Sequence, residues 1–130
     1  MHCKVVVSTL QCMGPVVEPT SQWLRGVLDL CLLAALSREA LYGYEMTRRL
    51  AEAGLDAVAE GSIYPALARL ERADLVEAVT RSGSGGPPRK YYSLTATGRR
   101  TLMQRSADWR EFAASVELVL AGQAEGEGRG

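Results

Sequence analysis

Arg81, Arg89, Lys90, Arg99, Arg100 and Arg105 lie in a window from Glu77 to Asp108 that holds no carboxylate between its ends. Cationic side chains gathered without counter-charge bind phosphate, and a nucleic-acid backbone presents phosphate as a repeating array. Two segments give this window a shape: Glu60-Gly-Ser-Ile-Tyr-Pro-Ala-Leu-Ala-Arg-Leu-Glu71 and Gly86-Pro-Pro-Arg-Lys-Tyr-Tyr-Ser-Leu-Thr95. The first reads as a short helix with Ser62 as N-cap and Pro65 in the first turn, where a missing amide proton costs nothing. Ile63, Leu67 and Leu70 supply its inner face, so Ser62, Tyr64, Pro65, Ala68 and Arg69 face outward. Hydroxyls and unpaired amide protons at a helix N-terminus suit phosphate or a base edge, and Arg69 suits phosphate or a guanine edge. The alternative for Tyr64 is a partly buried ring supporting the turn. The second segment reads as the outgoing strand of a basic hairpin. A helix followed by such a hairpin is the skeleton of a winged helix-turn-helix, with the helix in the major groove and the hairpin astride the backbone.

Side chains alternate along a strand, so one of Arg89 and Lys90 points at DNA, and Tyr91 and Tyr92 split in the same way. Arg81, across the hairpin, is a further contact. The candidate DNA-binding set is therefore Ser62, Tyr64, Pro65, Arg69, Arg81, Arg89, Lys90 and Tyr92. Arg99, Arg100 and Arg105 begin the next helix and are equally explained as solvated surface.

Other chemistries find little support. His2 is the sole histidine, which argues against histidine-based acid–base or Ser-His-Asp catalysis, and no enzyme is expected. Cys3, Cys12 and Cys31 are odd in number and widely spaced, giving neither a disulfide framework nor a zinc spacing. Cys31 lies in an apolar helical run and reads as a buried structural thiol. The Ser82–Pro88 tract is glycine-rich, yet G-x-x-x-x-G-K-[ST] cannot be fitted to it. No metal and no cofactor are implied. The 130 residues carry zero formal charge with a sequence pI near 6.6, so it is the placement of charge, not its sum, that points to nucleic acid. Lys4-Val-Val-Val7 is too short for a signal segment and no run reaches membrane-spanning length, so a cytoplasmic protein is expected.

The elements that position these residues follow from periodicity. Residues 1–20 read as a flexible arm, broken by Pro15 and Pro19, with Met13 as an alternative start. Residues 21–96 form the winged helix-turn-helix. Ser21 caps a helix over about 22–36, with Trp23, Val27, Leu30, Cys31, Ala34 and Ala35 on one stripe and Leu24, Leu28, Leu32, Leu33 and Leu36 widening it. A break at Leu41-Tyr42-Gly43 precedes a second helix over about 44–53, ended by Gly54. Strands then run from Leu75 to Thr80 and from Arg89 to Leu94. Thr95 or Thr97 caps a last helix, the dimerisation helix of residues 97–121. Its Leu102, Ser106, Trp109, Ala113, Val116 and Leu120 form a heptad seam broadened by Phe112 and Val119. Residues 122–130 are too polar and glycine-rich to order themselves. The fold class is thus mainly α with a small β-hairpin, a winged helix-turn-helix plus a long C-terminal helix.

Leu41-Tyr-Gly-Tyr-Glu45, Gly61-Ser-Ile-Tyr-Pro-Ala-Leu-Ala-Arg-Leu-Glu71 and Gly86-Pro-Pro-Arg-Lys-Tyr-Tyr-Ser-Leu-Thr95 with Gly98 occur in order at compatible spacing. In these pieces the chain, from Trp23 to Leu120, resembles the PadR family of bacterial transcription regulators, in particular its short members with a single C-terminal helix. The resemblance implies a homodimeric repressor on double-stranded DNA with a pseudo-palindromic operator. It also implies that phenolic or other hydrophobic small molecules release the DNA in some members. Trp109 stands mid-seam, where short relatives can carry a tryptophan lining a cavity between subunits, and a symmetric pair would offer flat faces to an aromatic effector. Trp23, Trp109, Phe112, Ala113 and Val116 are accordingly assigned to an effector site or to dimer packing. The chain departs from the family at Pro88, where arginine is common, and in its longer N-terminal arm. A competing function is a winged-helix module for protein–protein contact without DNA, since fold does not fix function. Apolar residues on the outer face of the third helix would favour it.

Overall fold

The structure, a computed structural model, describes residues 19–55, 60–82 and 86–129. Its elements in chain order are α1 (Pro19–Ala35), β1 (Leu41–Tyr42), α2 (Gly43–Glu52), α3 (Glu60–Arg72), β2 (Val76–Ser82), β3 (Pro88–Leu94) and α4 (Ala96–Arg129). The strands form one antiparallel sheet in the order β1-β3-β2. Helices α1, α2 and α3 pack on one another, α2 and α3 pack on the sheet, and α4 packs against both α1 and β3. This is the winged-helix architecture expected from the sequence, with one strand more. Leu41 and Tyr42 pair with Tyr92 and Tyr91, so the expected break before α2 is a third strand.

The core is built from one face of each helix. Leu24, Leu32, Leu33, Ala35 and Leu36 of the first helical segment are buried against Met46 and Leu50 of α2 and Ile63, Ala66, Leu67 and Leu70 of α3. The inner face of α3 matches the sequence expectation, whereas that of α1 is shifted around the helix. Trp23 is 71% exposed and Ala34 is exposed, while the leucines that had only widened the stripe carry the core. Leu24, Leu28, Leu32 and Leu36 repeat every fourth residue, and four leucines outweigh one tryptophan in apolar area. Cys31 is half-buried on this helix, and burial pushes its thiol pKa up.

Helix ends differ from expectation in four places. Helix α1 begins at Pro19, so Ser21 lies inside it; proline favours the first helical position because its φ is preset. Helix α3 begins at Glu60, which moves Ser62 from the N-cap into the first turn and Pro65 into the second. There Pro65 forfeits one backbone hydrogen bond. Helix α4 begins at Ala96 and continues to Arg129, past the expected end near Leu120. Ala121, Gln123, Ala124, Glu125 and Glu127 are good helix formers that offset the interspersed glycines. The fourth is α2, which runs from Gly43 to Glu52, one residue earlier than expected at each end.

Both helices of the helix-turn-helix end in the same way. Leu55 N–H donates to Leu50 and Gly54 N–H to Ala51; Leu75 N–H donates to Leu70 and Asp74 N–H to Glu71. These are Schellman closures, with Gly54 and Asp74 in the left-handed conformation. Asp74 leads straight into the junction with α4. Thr95 caps that helix: its Oγ1 accepts from Gly98 N–H at 2.9 Å and donates to the Asp74 carbonyl at 2.7 Å. Its own N–H donates to the Leu75 carbonyl at 3.1 Å. A Cβ on Gly98 would collide with that same Leu75 oxygen.

The residues 1–18 assigned to a flexible arm and the wing tip at 83–85 lie outside the described residues. We expect Gly98→Ala to destabilise the domain by roughly 1–3 kcal/mol, since the obstacle is backbone and cannot rotate away. Thr95→Ala should cost about 1 kcal/mol through the lost cap. Urea unfolding followed by far-UV circular dichroism measures both; a Gly98→Ala midpoint equal to wild type would show that α4 is free to shift.

Candidate nucleic-acid interface

On α3, Ile63, Ala66 and Leu67 are inaccessible to solvent, which turns Gly61, Ser62, Tyr64, Pro65 and Arg69 outward. Ala68 is half-buried. The outer face is therefore small and polar apart from Tyr64, whose ring is 48% exposed. That ring lies over the start of α2: a Cβ built on Gly43 would sit 2.5 Å from the Tyr64 hydroxyl. Tyr64 thus supports the turn, as the alternative reading expects, while its ring stays about half exposed. Gly43 is explained by the same contact, because any side chain there would displace the ring.

Arg69 is directed away from the helix tip. Its guanidinium donates to Asp29 of α1 at 2.9 Å, across the helix-helix contact. The sequence offered no signal for this partner, which is 40 residues distant.

The wing sorts its residues strictly by strand face. In the pairing, Arg81 stands opposite Arg89, Thr80 opposite Lys90, Val79 opposite Tyr91 and Ala78 opposite Tyr92. Tyr92 is 5% exposed and belongs to the core, so its assignment as a DNA contact is withdrawn. Alternation required one of the two tyrosines to turn inward, and Tyr92 is the one continuous with Leu94 and Val76. Lys90 shares the inner face further out, with its ammonium 5.5 Å from the Tyr92 ring centre and 3.8 Å from a carboxylate oxygen of Glu71 at the end of α3. Arg81, Arg89 and Tyr91 share the outer face. Arg81 stacks on Tyr91 at 4.8 Å, and Arg89 stacks on Tyr42 at 4.6 Å while donating to its hydroxyl at 3.0 Å. Tyr42 also meets Tyr91 edge-on at 5.3 Å. The outer face is a ladder of two arginines and two tyrosines, and Tyr42 is a member that sequence reading missed. Its motif position beside Gly43 was visible; its pairing with β3 was not.

The basic residues beyond the wing divide. Arg99 donates to the Ser37 carbonyl beyond α1 and Arg100 to Thr97 within its own helix, so both have structural partners. Arg105 is exposed. Along α4, Trp109, Phe112, Val116, Val119 and Leu120 are all more than 40% exposed, and Ala113 is half-buried. Trp109 and Phe112 contact at 6.2 Å between ring centres. Trp23 on α1 is exposed as well. Among the described residues there is no group of histidine, cysteine or carboxylate side chains able to hold a metal, and no helix long and apolar enough to cross a membrane.

A model of the PadR-like transcriptional regulator family matches residues 32–104, which include β1, both helices of the helix-turn-helix, the wing and the start of α4. The chain belongs to the PadR-like family. Its members are transcription regulators, not enzymes. The chain is similar to a PadR-like regulator from Bacillus cereus at 39% identity, with 76% of this chain and 96% of that one aligned and a TM-score of 0.69. It is similar to a PadR family regulator from Eggerthella lenta at 30% identity, with 92% and 95% of the two chains aligned and a TM-score of 0.70. It also aligns with Bacillus subtilis PadR, a structure solved with operator DNA, at 29% identity over 60% of this chain and 46% of that one, with a TM-score of 0.55.

The Arg69–Asp29 and Lys90–Glu71 pairs are both solvent-accessible, and exposed pairs of this kind contribute about 0–1 kcal/mol. Asp29→Asn should therefore move the unfolding free energy by less than about 1 kcal/mol, measured by urea denaturation. A larger loss would show that Arg69 is a structural tie and unsuited to exchange partners.

Proposed function

We propose that this PadR-like regulator is a homodimeric repressor that binds a pseudo-palindromic DNA operator, and that hydrophobic or aromatic small molecules modulate it. The observation that carries the DNA reading is the joint exposure of the N-terminal face of α3 and the cationic wing. Ser62, Tyr64 and Pro65 stand on the first, and Arg81, Arg89 and Lys90 on the second. The polar, small-residue face of α3 supports DNA over a protein partner at this surface, and the operator complex of Bacillus subtilis PadR supports it by likeness. Ser62 and Tyr64 approach phosphate or base edges in the major groove. The outer-face arginines take flanking phosphates on one side of the ribbon and Lys90 takes one on the other, a departure from the expectation that one of Arg89 and Lys90 meets DNA. Lys90 exchanges Glu71 for phosphate, a small cost for an exposed pair.

Dimerisation is supported by the exposed stripe of Trp109, Phe112, Val116, Val119 and Leu120 on α4, and by the exposure of Trp23 on α1, a helix that packs against α4. Contiguous exposed apolar residues on a soluble domain mark an interaction surface, and a two-fold axis would place two recognition helices on successive operator half-sites. Two Trp109 rings brought together would offer an aromatic ligand a stacking site within that interface.

Titrating labelled duplex from the gene's own upstream region, at several salt concentrations and against unrelated competitor, tests the DNA reading. We expect competitor-resistant binding that weakens steeply with salt. Lys90→Ala should lower the log–log salt slope by about 0.9, as loss of one phosphate contact requires. Glu71→Gln, which releases Lys90 from its internal partner, should strengthen binding. Absence of binding at low salt would overturn the reading. Phe112→Lys should convert a dimer to a monomer in sedimentation equilibrium; a wild-type monomer would overturn the dimer.

A further inference from the structure

Tyr42 closes β1, N-caps α2 and lies between the two parts of the proposed DNA surface. Toward the wing, its hydroxyl accepts from Arg89 Nη1 at 3.0 Å and its ring underlies the same guanidinium at 4.6 Å. Its backbone is fixed by pairing with Tyr91, and Glu45 accepts its N–H at 3.1 Å. Toward the recognition helix, the next residue is Gly43, whose missing side chain is the space that the Tyr64 ring fills. Two consecutive residues thus join a wing cation to the first turns of α3.

Resting on the DNA-binding reading above, we propose that Tyr42 is a positioning residue that sets the wing arginine in register with the recognition helix. The hydrogen bond engages one of the guanidinium's five N–H donors, and the rest stay available to phosphate. An arginine stacked and bonded on folding has less rotational freedom to lose on binding. Its charge then meets a phosphate at a fixed distance from the base edges that α3 reads. A swinging arginine would neutralise any phosphate nearby, on any sequence. Tyr42 therefore acts on the difference between operator and random DNA more than on total affinity. The neighbouring Arg81–Tyr91 stack meets the Tyr42 ring edge-on through Tyr91, a contact that Tyr42→Phe retains, so Arg81 serves as an internal control.

The test uses the full chain, a duplex that the wild-type protein selects from a random-sequence pool, and the unselected pool. Tyr42→Phe keeps the ring and removes the acceptor. It should weaken binding to the selected duplex about three- to tenfold, the span of one hydrogen bond, with pool affinity and salt slope unchanged because the charge remains. Arg89→Ala should bind more weakly still and flatten the slope by about 0.9. On the Arg89→Ala background, Tyr42→Phe should change nothing further; on the Arg81→Ala background it should keep its full effect. Arg89→Lys, which retains charge without the planar fork, should reproduce Tyr42→Phe and provides the test if that variant folds poorly. Equal losses with and without Arg89, equal losses on both DNAs, or no loss at all would overturn the proposal. A wild-type chain that enriches no duplex and shows no salt-sensitive binding would sink the DNA reading itself, a result seen before any variant is made.

Discussion

The geometry of the molecule hinges on the junction where Thr95 and Gly98 meet the Asp74-Leu75 backbone. One hydroxyl there both accepts from the first turn of α4 and donates to the carbonyl that ends the α3 closure. The close approach of Gly98 to the Leu75 oxygen leaves no room for adjustment. Three elements meet in this small space: the end of the recognition helix, the root of β2 and the start of a 34-residue helix. At 1.5 Å per residue that helix spans about 50 Å, so a few degrees at its root displaces its far end by several ångströms. Whatever partner α4 takes, the junction transmits that partner's position to α3 and the wing. In the proposed dimer, the separation of the two recognition helices depends on this junction together with the packing of α1 against α4.

A second constraint shapes the wing itself. A two-stranded ribbon is marginally stable in isolation, and only its base, from Val76 to Ala78 and from Tyr92 to Leu94, reaches the core. Beyond that base the backbone ladder continues to Ser82 and Pro88, and side chains reinforce it. Arg81 on Tyr91, Arg89 on Tyr42, and Lys90 on Tyr92 give each cation an aromatic platform. The cations that face solvent therefore also brace the ribbon that carries them. This explains why tyrosines recur between and across from basic residues, a pattern that charge counting alone reads as surface decoration.

How much of this was legible in the chain depends on whether a signal was local. The inner face of α3 could be read because Ile63, Leu67 and Leu70 repeat at helical spacing, and the cap of α4 was narrowed to Thr95 or Thr97, between which the Gly98 N–H bond decides for Thr95. The wing register could be anticipated only as alternation; which of Tyr91 and Tyr92 turned inward depended on continuity with Leu94 and Val76. The two-residue strand β1 is too short to show a period, and its pairing partner lies some 50 residues on. Arg69 bonds to Asp29 through a helix crossing, and no pattern in either segment names the other. In α1, apolar residues surround the helix, so sequence could not choose between the stripe with Trp23 and the stripe of leucines. Packing chose the leucines and left the tryptophan outside.

That exposed tryptophan, together with the stripe on α4, bears on the neutrality of the chain. A protein that met DNA as a free monomer would depend on charge for much of its affinity, yet this chain has equal numbers of acidic and basic residues. Two of its cations near the recognition helix, Arg69 and Lys90, already hold carboxylates, so the local field is partly spent within the fold. A modest field on each subunit is sufficient if two subunits are joined, because the second half-site is then bound at high effective concentration. It also limits attraction to random DNA, where affinity is almost wholly electrostatic. Apolar surface on α4 and restrained charge on the wing are in this sense complementary: in the proposed dimer, association would supply the affinity that charge withholds, and would do so only where two half-sites are correctly spaced.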